Sequence, residues 1–210
     1  LQVKGAQLCD NNGNPVVLRG VSLGWHNLWP RFYNAKAIKW LKDDWHANII
    51  RAAMGIQIED NYLNNPEFAM RCMSPVIEAA IKNGVYVIID WHVLNYAPSR
   101  HTQEACDFFA EMASKYSGHD NVIYEICNEP VGADWHAHTM HTKEATMFFT
   151  NMAKKYGKYP NVIYEIYNEP IEDKWDSLKV YGETIITAIR QYDPDNIILM
   201  GCPHWDQDID

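Results

Sequence analysis

Apolar residues along this chain follow two rhythms. Short runs rich in Val and Ile with little polar alternation, such as "NIIRAAM" from Asn48, "VYVII" from Val85 and "NIILMG" from Asn196, have the pattern of strands covered on both faces. Between them apolar positions recur at i, i+3 and i+4, as on a helix with one covered face. Ile38 and Leu41 do so in "AKAIKWLKDDW". A second helix is expected from Pro66, a residue suited to a first helical turn, to the stop signal Asn83-Gly84. A last one is expected over about 174–191. The first twenty residues read as a hairpin, "GAQLCD", a polar "NNGN" turn, and then "PVVLRGVSLG" as a strand.

One unit occurs twice. "NVIYEICNEP" at Asn121 to Pro130 returns as "NVIYEIYNEP" at Asn161 to Pro170. Before the first copy Ala105, Phe108, Phe109, Met112, Ala113 and Tyr116 keep helical spacing, and Ala145, Phe148, Phe149, Met152, Ala153 and Tyr156 repeat it before the second. Each copy is a helix followed by a strand. The internal repeat spans 101–130 and 141–170 within one expected domain of 1–210. Strands alternating with helices make the fold class α/β with a parallel sheet, and polar residues gathered at strand ends suit a (β/α) barrel of the TIM type. A doubly wound sheet would call for a glycine-rich phosphate turn, and the chain has no G-x-G-x-x-G. After the hairpin only about six parallel strands are counted, so the barrel is incomplete, and unpaired sheet edges would invite a homo-oligomer.

Charge narrows the partners. The net charge is -9 without a Lys/Arg cluster, which argues against nucleic acid or an anionic membrane as partner. The apolar runs are far too short to span a bilayer. Five scattered cysteines with no C-x-x-C give neither a disulfide framework nor a zinc cage.

Chemistry is concentrated where strands end. Glu129 and Glu169 each leave an apolar strand and precede a proline, and a carboxyl in apolar surroundings can have its pKa raised toward that of a general acid. Position alone fits a helix cap or a lysine pair equally well. Asn128 and Asn168 could orient the adjacent carboxyl or serve as turn residues. Arg51, beside Ala52 and Ala53 at a strand end, calls for a carboxylate partner. His92 reads as a donor to a substrate hydroxyl or to the catalytic carboxyl, or as a satisfied core histidine. Trp25, Trp29 and Trp205 lie in loops, where indole faces stack on sugars or simply pack. His136, His138 and His141 form a polar loop without a matching acidic or cysteine ligand, so no metal is expected.

Taken in order, "VVLRGVSLGWHNLW", "NIIRAAM", "VYVIIDWH", "VIYEIxNEP" and "DPDNIILMGCPHWDQDID" resemble the first five barrel strands of glycoside hydrolase family 5, in particular bacterial endo-β-1,4-glucanases. The resemblance implies a secreted enzyme that cleaves β-1,4-glucan with retention, without a cofactor, and takes a β-glucan oligosaccharide as partner. It assigns the acid/base to Glu129 or Glu169. Arg51, His92 and the matching Asn stand beside it, with His26, Trp29 and Trp205 lining the sugar cleft. The family's nucleophile is a second Glu on the seventh strand. Beyond Pro170 this chain has only Glu172 and Glu183, in an expected loop and helix. "DWH" at Asp90 to His92 reappears at Asp134 to His136, and removing 93–136 joins "VIIDWH" to "AHTMHTKEA" without interruption. That seam is expected if one helix-strand unit was inserted by recombination or engineering, with a natural duplication as the alternative. A non-catalytic, weakly glucan-binding scaffold is then the alternative to an enzyme.

Overall fold

The computed structural model describes residues 1–93, 98–126, 142–170 and 174–209. At the N-terminus β1 (Gln2–Lys4) and β2 (Gln7–Cys9) pair antiparallel around a turn with Gly5 at positive φ. The "NNGN" turn is present as well, but it returns the chain only to a single bridge between Cys9 and Pro15. Asp10 builds it, its carboxylate accepting the N–H groups of Asn12 and Asn14 at 2.9 and 2.8 Å. Pro15 has no N–H with which to extend a ladder, so the next strand begins at Gly20 and not at Pro15.

From there strands and helices alternate: β3 (Gly20–Trp25), α1 (Ala35–Trp45), β4 (Ile49–Gly55), α2 (Pro66–Asn83), β5 (Tyr86–His92), α3 (Thr102–Tyr116), β6 (Val122–Glu125), α4 (Thr142–Tyr156), β7 (Val162–Glu165), α5 (Trp175–Arg190) and β8 (Ile197–Leu199). The class is α/β, an incomplete (β/α) barrel type whose described residues hold six parallel-type strands where a closed barrel needs eight. No described helix is long and apolar enough to cross a membrane.

The chain reads as one domain but divides into two compact units. Leu1–His92 with Asp107–Glu125 form the first, Val93–Cys106 with Ile126–Asp210 the second. In the first, β3, β4, β5 and β6 pair in that order, all parallel. In the second, β7 pairs parallel with β8. The strands of the two repeat copies, β6 and β7, fall in different units.

Helix ends follow their local chemistry. The Asn34 side chain accepts the Ala37 N–H at 3.0 Å to start α1, and Asn65 accepts that of Phe68 before Pro66 to start α2. Gly84, at φ 64, closes α2 in the left-handed cap that its missing Cβ permits. Strand entries are fixed by a second set of asparagines. Asn48 bonds Val17 and Arg19 before β4, Asn121 bonds Val85 before β6, and Asn196 bonds Gly157 and Tyr159 before β8.

Both copies of the repeat pack alike. Phe109 meets Tyr124 edge-on at 6.1 Å in the first unit, and Phe149 meets Tyr164 edge-on at 6.4 Å in the second. The tyrosine hydroxyls differ: Tyr124 donates to the Met112 carbonyl at 3.1 Å, Tyr164 to the Asp193 carboxylate at 2.6 Å.

Candidate active site

Arg51 stands third of seven in β4, and not at a strand end. Register explains what it does there. Ala53 in β4 lies opposite Asp90 in β5, and Asp90 lies opposite Glu125 in β6. Parallel neighbours are about 4.8 Å apart, so the two acidic side chains stand next to each other on one face. Arg51 is two residues before Ala53 on that face, and the small Ala53 leaves room for its long side chain to pass. Its Nε and Nη2 donate to the two oxygens of Glu125 at 2.7 and 2.5 Å, a forked pair. Nη2 also lies 2.9 Å from Asp90 Oδ2.

His92 completes the group. Its Nδ1 is 2.8 Å from the same Asp90 oxygen, and since a carboxylate only accepts, the ring hydrogen belongs on Nδ1. In the neutral ring Nε2 is then the acceptor nitrogen. Trp25 packs edge-on against the imidazole at 5.0 Å and limits its rotation. Asp90 is wholly buried, and its second oxygen has no hydrogen-bond partner. Burial pushes its carboxyl above the usual carboxylate range, with Arg51 opposing and Glu125 adding to the rise. The cluster therefore holds two carboxylates and an oriented imidazole on one guanidinium.

Of the other expected residues, some belong to the second unit and some lie outside the described residues. Asn128 and Glu129, like His136, His138 and His141, lie outside the described residues. Among the described residues no three His, Cys, Asp or Glu side chains gather as metal ligands do. Asn168 is half-buried and Glu169 exposed, both in the second unit, and Glu169 adopts φ 46, an uncommon conformation for a residue with a Cβ. There the Trp205 N–H donates to the Pro170 carbonyl at 3.0 Å and the Gly201 N–H to that of Tyr167 at 2.6 Å, which seats the Trp205 loop on the second Asn-Glu-Pro. Trp205 is exposed and has a positive φ itself.

In the first unit Trp29 is exposed and packs over Gly24, where a Cβ would meet its ring at 2.6 Å. His26 departs from its expected place on a cleft wall. It has no exposed surface, its Nδ1 accepts the Gly55 N–H at 3.2 Å, and its Nε2 lies 3.2 Å from the Asp60 carbonyl. Burial lowers its pKa to about 4, so the ring is neutral near pH 7 and serves the backbone.

Glu125 is the residue that sequence reasoning missed. It sits in "VIYE", three residues before the Asn-Glu-Pro that begins at Asn128. The signal was its strand register with Asp90, one position along the face from a strand arginine.

The family model described as cellulase (glycosyl hydrolase family 5) matches the chain in two overlapping segments, residues 9–147 and 133–210. An endoglucanase of Clostridium saccharobutylicum is 37% identical over 212 residues, covering 100% of this chain and 38% of that protein. Endoglucanase Z of Dickeya dadantii is 37% identical over 209 residues, covering 95% of this chain and 39% of that protein. Among solved structures, the catalytic domain of a Thermobifida fusca endoglucanase superposes with a TM-score of 0.53 at 33% identity, over 98% of this chain and 54% of that one. A form of that domain was solved with cellotetraose. The chain spans about half the length of the solved domain and under two fifths of the curated relatives. On a family match that runs through nearly all its residues, the chain belongs to the cellulase family, glycosyl hydrolase family 5.

Proposed function

We propose that the chain carries the acid/base and sugar-positioning part of a retaining β-1,4-glucan hydrolase, with Glu129 as the acid/base. The observation that supports this reading is the Arg51–Glu125–Asp90–His92 cluster, because in the sequence Asn128 and Glu129 follow Glu125 by only three and four residues. In this reading Glu129 protonates the departing glycosidic oxygen and later activates water, Asn128 binds a sugar hydroxyl, and His92 accepts a hydroxyl hydrogen through Nε2. Retention requires a second carboxylate as nucleophile about 5 to 5.5 Å from the first. In the family resemblance that group belongs to a later strand.

The test is calorimetric titration of the chain with cellotetraose, beside release of shorter sugars from cellohexaose. Binding that weakens at least tenfold in His92→Ala, with any hydrolysis abolished by Glu129→Gln and retained by Glu169→Gln, is the expected result. Absence of glucan binding would defeat the reading. A second reading takes Glu169 as the acid/base, on the observation that the Trp205 loop is hydrogen-bonded to Pro170 beside it. Hydrolysis lost in Glu169→Gln alone would select it.

A further inference from the structure

One side chain beside the Arg51 cluster is aimed by an irregularity of the backbone. Ser22 of β3 stands opposite Arg51 of β4, but Trp25 stands opposite Ala53, so three steps along β3 match two along β4. That is a bulge, a feature uncommon between parallel strands and frequent where a side chain is re-aimed beside an active site. Without it Gly24 would face Ala53, and Trp25, one position on, would point to the opposite face. Gly24 takes the extra step at φ 70, and the Tyr33 hydroxyl ties it to β4, lying 2.5 Å from the Gly24 carbonyl oxygen and 3.1 Å from that of Ala53. The indole therefore enters the face that carries Arg51, Asp90 and Glu125. It closes β3 there with 8% of its surface exposed, where the sequence pattern suggested a loop.

A place is kept for the ring. Gly55 of β4 stands opposite His92 of β5, and a Cβ on it would come within 2.9 Å of Trp25 Cε3 and 2.5 Å of Asn27 Oδ1. Its φ is not left-handed, so the indole and Asn27, not the backbone, are what leave no room for a side chain. Trp25 lies against that bare position and reaches His92, with ring centroids 5.0 Å apart and planes at 62°. Asp90 holds the same imidazole through Nδ1 at 2.8 Å. We infer that Trp25 is a positioning residue, turned inward by the bulge and seated on Gly55 to hold the His92 ring in one plane while Asp90 fixes which nitrogen carries its hydrogen. The single bond to Asp90 leaves the ring free to swing about that contact. The indole removes the swing, so Nε2 keeps one direction, and hydrogen bonds weaken steeply with misalignment. So little of the indole is exposed that it is no stacking platform for a sugar, and its effect on binding goes through His92. The bearing on glucan rests on the reading of His92 as a hydroxyl acceptor, whereas the orientation of the ring does not.

Two measurements on the whole chain test this. The first is NMR of the unliganded chain with ring-labelled histidine. The expected result is one set of His92 ring signals that cross-relaxes with the Trp25 indole, and broadening or a second set in Trp25→Leu and in Gly55→Ala, whose added Cβ displaces the indole. Trp25→Phe, which keeps an aromatic ring in the slot, should restore the single set. Either of the first two variants decides alone should the other fail to fold. His92 signals that do not change would overturn the proposal, whether or not the chain binds glucan. The second is calorimetric titration with cellotetraose. Trp25→Leu should weaken binding about fivefold, the worth of one misaligned hydrogen bond, and add nothing in a His92→Ala background. Losses that multiply in the double variant would mean that Trp25 acts on the sugar or on the fold directly, and would overturn its role through His92. A chain that does not bind cellotetraose at all would defeat the functional reading, and the NMR result would still decide the positioning.

Discussion

Arg51 is the residue on which two buried carboxylates depend. With Asp90 wholly buried and Glu125 nearly so, removing the guanidinium leaves like charges side by side. Arg51→Ala should lower unfolding stability by about 3–5 kcal/mol, the range for breaking a buried pair from one side, as read from urea midpoints. Arg51→Lys should recover only part of that, because an ammonium cannot make the fork to both Glu125 oxygens. His26 gives a pH signature. Its folded pKa, near 4, lies below the unfolded value of about 6.5. The unfolded chain therefore binds a proton first as pH falls. Stability should drop between about pH 6.5 and pH 4 and level off below, by up to about 3 kcal/mol from this ring. Urea titrations across that window should show a flatter dependence in His26→Gln, and an unchanged slope would remove His26 from the acid response.

At the scale of elements, identical sequence does not mean identical energetics. Tyr124 and Tyr164 occupy the same place in the repeat, yet one bonds a neutral carbonyl and the other a buried carboxylate that also accepts from Asn196. Tyr124→Phe should cost about 1 kcal/mol and Tyr164→Phe about 1.5–3, measured as separate urea midpoints. Elements were also the most legible part of the sequence. Helix α1 runs over the very residues of "AKAIKWLKDDW", and α2 starts at Pro66 and stops before Gly84, because caps and prolines act within a turn of the chain. What depends on partners distant in sequence was hidden. The start of β3 at Gly20, the burial of His26 and the tie between Arg51 and Glu125 are all set by neighbouring strands, and no local pattern states which residue will stand opposite which. Glu125 looked like one more residue of a buried strand until three strands were in register.

For the whole molecule, the two overlapping family matches and the division of the copies between units bear on how the repeat arose. If 93–136 is an inserted unit, the strands of the two copies are interchangeable, since both read "VIYE" between the same flanking residues. Deleting 93–136 then places the second copy directly after β5, and Glu165 should take the position opposite Asp90 that Glu125 holds in the intact chain. A double-mutant cycle can follow the charge. In the intact chain Arg51→Ala and Glu125→Gln should couple by about 1–3 kcal/mol, as residues of one forked ion pair do. In the shortened chain the cycle between Arg51→Ala and Glu165→Gln should reach the same size. Cooperative unfolding with that transferred coupling would mean that either strand can complete the Arg51 cluster. A shortened chain that unfolds without cooperativity, or whose Arg51 does not couple to Glu165, would mean that the first copy is bound to its place by contacts the second cannot make.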